Sequence, residues 1–204
     1  LYVGVQTLQF KNPQQLDIVN AKPGQQIPIY DRPLTTEIWY PGQVDPAAQN
    51  VGQYKVFFRD GKTPITLHGR ALRDASPDRA KGPYPLVVVS HGYPGNRFLM
   101  SPIAENLASK GYVVVSIDHT DSTYSDLGAF PSTLRNRSLD LSFVIEEMVK
   151  ANHSVASPLK DLIDENRIAL IGYSMGGYGV INKVGGGYSE KATKYPNLPQ
   201  DSLN

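Results

Sequence analysis

Cysteine is absent from the 204 residues, which excludes disulfides, Cys-ligated zinc and any thiol nucleophile. An excess of charge of either sign is missing too. The 20 Lys and Arg against 19 Asp and Glu leave a net charge of +1, so no electrostatic footprint for nucleic acid is present. Long apolar runs are lacking: the longest, such as Leu86-Val87-Val88-Val89, are far too short to cross a bilayer. No charged segment followed by an apolar stretch opens the chain. It begins at Leu1 rather than Met, as it would if a leader had been removed or left out; a secreted or periplasmic location is expected over a cytoplasmic one. Histidine is scarce. The four residues His68, His91, His119 and His153 all precede position 174.

What is present falls into two zones. Residues 1–84 are rich in Pro, Gln, Gly and β-formers, and predict antiparallel or edge strands at Tyr2 to Phe10, Thr35 to Tyr40 and Tyr54 to Phe58, each bounded by turn residues. Residues 85–204 change character. Leu86 to Ser90, Tyr112 to Ile117 and Arg167 to Ile171 are β-branched apolar runs, as expected of strands buried on both faces. Between them the sequence predicts a helix over Ser101 to Lys110, with Ser101 as N-cap, Pro102 in the first turn and Gly111 as terminator. A longer helix is predicted from Pro131 and Ser132 to about Lys150, its apolar face made by Leu134, Leu141, Val144, Ile145 and Met148. This alternation implies an α/β architecture with a mostly parallel sheet and helices on both faces. Val184-Gly185-Gly186-Gly187 is expected to be a loop. The whole reads as one incomplete domain, 1–204, with 1–84 as its N-terminal part and 85–204 as its core.

The third buried run leads directly into Gly172-Tyr173-Ser174-Met175-Gly176, a G-x-S-x-G pattern. A serine in a strained strand-to-helix turn needs small residues two before and two after it. The alternative is a plain Gly-rich turn with a capping serine. Gly177 is expected to let the next helix pack close to the sheet. Ser90-His91-Gly92-Tyr93-Pro94-Gly95 follows the first buried run, at the sheet edge where ligands bind in open α/β folds. Acyl transfer at Ser174 needs two backbone donors for an oxyanion. Met175, next after the serine, supplies one, and Tyr93 is the best-placed second, because Pro94 has no N–H to give. Asp118, His119 and Asp121 suggest either hydrogen bonds that hold a loop or a metal site. Asp140 is expected to pair with Arg137 at i+3 or to cap a loop, a structural role.

Ser90 to Arg97, Tyr112 to Tyr124, Arg137 to Val144 and Gly172 to Gly177, in that order, resemble the α/β-hydrolase superfamily. The likeness is to platelet-activating-factor acetylhydrolase-like and dienelactone-hydrolase-like serine esterases, with cutinase-like polyester hydrolases nearby, over roughly residues 34 to 182. Where dienelactone hydrolases carry a Cys nucleophile, this chain has Ser174. The resemblance implies an α/β-hydrolase fold, carboxylic ester hydrolysis through an acyl-enzyme on Ser174, an oxyanion hole from the Tyr93 and Met175 amides, and no cofactor or metal. The substrate class is a small-molecule, lipid or polyester ester. The superfamily's order is nucleophile, then acid, then His. The thirty residues after Ser174 contain no His, so the acid and base are expected from a segment after residue 204, carried by a further piece of the same polypeptide. A binding module of the same fold that lacks the base is the alternative.

Overall fold

The computed structural model describes residues 1–43, 51–195 and 198. Seven strands make one sheet: β1 (Tyr2–Leu16), β2 (Ile29–Gly42), β3 (Val51–Phe57), β4 (Pro64–Arg73), β5 (Tyr84–Ser90), β6 (Val113–Asp118) and β7 (Ile163–Gly172), in the order β3-β4-β1-β2-β6-β5-β7. Among the described residues four helices accompany them: α1 (Ser101–Ser109), α2 (Phe130–His153), α3 (Met175–Lys183) and the single turn α4 (Glu190–Thr193). The two composition zones thus meet in a continuous sheet, where β2 pairs antiparallel with β6.

Burial explains the composition of each strand. β5 and β6 lie inside the sheet, and nearly every residue in both is buried, which suits unbroken β-branched runs. Leu86 and Val88 enter one core with Val113, Val115, Leu141, Val144 and Met148, beneath α2. Val87 and Val89 enter the other with Val114, Trp39, Phe98, Ala104 and Ala108, beneath α1. β3 lies at the sheet margin and alternates exposed and buried residues along its length, the period of a one-sided strand. β7 closes the opposite margin and pairs only with β5 among the described residues. Ile168 of β7 and Ile181 and Val184 after it stay exposed.

One strand was not expected and one cap moves. β4 was not foreseen, since its alternation runs through His68, Gly69 and Arg70 rather than through a recognisable apolar run. Ser101 is the first helical residue rather than the N-cap. That place falls to Met100, with no side-chain bond to the helix, because Pro102 fits within the first turn and lets the helix begin one residue early. Gly111, at φ +94°, does close α1 as expected.

Candidate active site

β5 and β7 are parallel neighbours with Ser90 opposite Gly172, so the loops after both strands emerge side by side. This register brings the two sequence motifs together. The Tyr173 N–H donates to Ser90 O at 3.1 Å, and the Gly176 N–H closes the turn onto Tyr173 O at 2.8 Å. Ser174 sits at the apex with φ 53° and ψ −117°, a backbone region that non-glycine residues enter only at a cost of about 1–3 kcal/mol. Its side chain is exposed and makes no capping hydrogen bond to α3, so a structural capping role does not account for this serine.

The flanking glycines are required by backbone. A Cβ on Gly172 would come within 2.5 Å of Gly177 N, and one on Gly176 within 2.6 Å of Ser90 C and 2.9 Å of His91 O. Neither obstacle is a side chain that could swing away. Gly177 differs from expectation: a Cβ there meets nothing nearer than 3.5 Å. The glycine that lets α3 approach its neighbour is Gly179, where a Cβ would lie 2.8 Å from Arg137 Cβ on α2.

Beside the turn, a Cβ built on Gly92 would lie 3.4 Å from Ser174 Cβ, so the 91–95 loop borders the serine directly. Neither the Tyr93 N–H nor the Met175 N–H donates a hydrogen bond among the described residues. The Tyr93 phenol donates to Gly128 O at 2.9 Å, and its ring packs edge-on against Phe130, with centroids 5.0 Å apart. The side chain is therefore anchored while the backbone amide stays free.

The histidines near the sheet edge do something else. His119, at the end of β6, bonds Ser90 Oγ through Nε2 at 2.8 Å and Asp140 Oδ2 through Nδ1 at 2.9 Å. The order Ser, His, Asp imitates a catalytic triad, but all three residues are at most 1% exposed. Ser90 Oγ also receives a bond from Arg137 Nη1 at 3.3 Å. No substrate reaches a hydroxyl so enclosed. Burial, with the Arg137 charge adding to it, pulls His119 down to about 4 against the opposing pull of Asp140, so the ring is neutral near pH 7.

His91 is neutral for a related reason: burial lowers it well below its usual range, and Arg137 adds to the effect. Its Nδ1 faces Gly92 O at 2.7 Å, and its Nε2 accepts the His119 N–H at 3.3 Å. A carbonyl can only accept and an amide can only donate, so the proton sits on Nδ1. His68 is exposed on β4, and His153 ends α2 with its Nε2 2.8 Å from Glu165. None of the four histidines forms a hydrogen bond to Ser174.

One pairing differs from expectation. Asp140 binds Arg32 rather than Arg137, through Nε at 2.8 Å and Nη2 at 3.0 Å. Burial pushes the carboxyl up, but Arg32 and the His119 bond outweigh it and hold the group at about 2. Asp118, His119 and Asp121 do not converge on a common point. Asp118 holds the Arg97 N–H and guanidinium, His119 turns inward as described, and Asp121 accepts from Arg32 and Ser132.

Arg137 was missed as a site neighbour, although a signal was available. It lies four residues before Leu141, on the same side of α2 as the apolar stripe, and is itself 1% exposed. A charged residue in register with a buried face requires buried partners. Arg32 carried no comparable signal, because its partner Asp140 lies 108 residues away in sequence.

Residues 74–199 match the family described as PETase, PET hydrolase-like. Cutinase 2 of Thermobifida cellulosilytica is 31% identical over 103 residues, covering 50% of this chain and 35% of that protein. The platelet-activating factor acetylhydrolase of Bos taurus is 30% identical over 141 residues, covering 50% of this chain and 32% of that protein. Among solved structures, the ferulic acid esterase from Streptomyces cinnamoneus superposes with a TM-score of 0.62 at 26% identity, over 90% of this chain and 55% of that one. The chain therefore spans about a third of the length of these curated relatives and about half of that structure. With the α/β sheet, the family match and ester-hydrolase relatives in agreement, this chain belongs to the PET hydrolase-like family of the α/β-hydrolase serine esterases.

Proposed function

We propose that this chain carries the nucleophile and oxyanion hole of a serine carboxylic ester hydrolase. The observation that carries the reading is Ser174 itself. It is held at positive φ between two glycines that admit no side chain, exposed at the N-terminus of α3, and bordered by two amides that find no acceptor among the described residues. Ser174 Oγ attacks the ester carbonyl, the N–H groups of Tyr93 and Met175 receive the developing oxyanion, and water then releases the acyl-enzyme. The N-terminal end of α3 favours the same negative charge. His119 and His91 are engaged elsewhere, so the imidazole that takes the serine proton comes from residues beyond Asn204, together with its carboxylate. The length of the relatives and the outer side of β7, which has no partner among the described residues, support that reading.

The substrate is a carboxylic ester with a short or medium acyl part, in line with relatives named as cutinases and a ferulic acid esterase. The test is turnover of p-nitrophenyl esters of increasing acyl length, a feruloyl ester and a polyester film by the complete natural polypeptide and its Ser174→Ala variant. Hydrolysis of at least one class, abolished in the variant, is the expected result. Equal turnover by both proteins would remove Ser174 from the mechanism.

A further inference from the structure

The Tyr93 N–H belongs to the same planar peptide unit as Gly92 O, so whatever holds that oxygen also aims the amide. Gly92 O is held twice, by Arg137 Nη2 at 2.8 Å and by the Nδ1–H of His91 at 2.7 Å. Arg137 is fixed in turn. Its Nη1 donates to His91 O and Ser90 Oγ, and its Nη2 donates to Ser122 Oγ at 2.6 Å. One guanidinium therefore ties the 91–95 loop to the end of β5 and to the loop after β6. Gly179 of α3, the helix that begins at Met175, packs on Arg137 Cβ, so Arg137 braces both sides of the oxyanion hole.

We propose that Arg137 and His91 are positioning residues that orient and polarise the Gly92–Tyr93 peptide, strengthening its N–H as an oxyanion donor. Donors on the carbonyl draw electron density from the amide nitrogen and make its N–H more positive, a cooperative gain of about 10–30% per bond. Here one donor is a cation buried away from water, where its field is weakly screened. Neither side chain needs to touch the substrate to act in this way. The charge surrounding Arg137 consists of Asp140 and Arg32, which pair with each other, and the neutral rings of His91 and His119. The Arg137 cation thus faces only neutral acceptors directly.

The inference rests on the reading of Ser174 and the Tyr93 amide given above, and the test separates the two. In the complete polypeptide, Arg137→Lys keeps the charge but loses the fork that reaches His91 O, Gly92 O and Ser122 together. The assay compares an ester with its thionoester, whose developing sulfur anion depends far less on hydrogen-bond donors. Outright loss of an oxyanion donor costs about 100- to 1,000-fold in kcat. Weakening one should cost on the order of 10-fold for the ester, with KM little changed, a smaller loss for the thionoester and a lower ratio between them. If Arg137→Lys fails to fold, His91→Ala, which removes the other donor to the same oxygen, should give the same pattern. Equal losses for both substrates, or an unchanged kcat, would overturn the inference while leaving Ser174 in place. Turnover that survives Ser174→Ala overturns the parent reading instead.

Discussion

Ser174 and Gly176 solve one steric problem between them: a hydroxyl must stand clear of the sheet while the chain reverses directly against the end of β5. The serine accepts the unfavourable φ, and the glycine accepts the contact with Ser90. Two neighbouring substitutions should therefore diverge. Gly176→Ala should destabilise the protein by about 3 kcal/mol or more, because the clash is with backbone and rotamer changes cannot relieve it. Gly177→Ala should be tolerated and, within a helix, should gain up to about 1 kcal/mol. Denaturant midpoints of the two variants test this, and equal effects would contradict the turn geometry. The glycines at 172 and 176 were legible in the sequence because the need for small residues is local to the pattern. The reassignment from Gly177 to Gly179 was not legible, since it depends on where α2 lies relative to α3.

At the scale of elements, α2 divides into an apolar half that covers the sheet and a polar half buried against the loops. The apolar half was readable from period alone, and Leu141, Val144 and Met148 are fully enclosed. The polar half was not readable, because its partners Ser90, His91, Ser122 and Arg32 come from distant positions. β4 escaped for a different reason: lying between β3 and β1, it alternates exposed and partly buried residues and buries only one face, so its sequence carries little hydrophobic signal.

The buried polar half has a consequence for acid stability. His119 is held at about 4 in the folded chain, below its ordinary value of 6.5. As pH falls below 6.5 the unfolded chain therefore takes up the proton first. Stability is full above that pH, declines down to about pH 4 and then levels, a loss on the order of 3 kcal/mol. Asp140, held at about 2 rather than 3.8, adds a further loss between those values with the same sign. Urea midpoints measured from pH 7 to 4 should fall, and His119→Asn should flatten part of the slope. A flat profile in the unsubstituted protein would contradict the neutral, buried network.

For the molecule as a whole, the sheet order decides where chemistry can occur. The parallel set β6-β5-β7 gathers its carboxyl ends at one edge, and pairing of β5 with β7 brings the 91–95 loop beside Ser174 although the two motifs lie far apart in sequence. The outer side of β7, with Ile168, Ile181 and Val184 exposed nearby, pairs with no strand among the described residues. The superfamily resemblance was legible because its motifs keep their chain order. The inward turn of His119 was not, since a histidine at a strand end reads the same whether it faces the site or the core. The most direct measurement of the central claim is peptide mapping of the complete natural polypeptide after reaction with an organophosphorus ester probe. A single adduct on Ser174, absent from the Ser174→Ala variant, is expected; an adduct on another serine with Ser174 unmodified would remove Ser174 from the nucleophile's role.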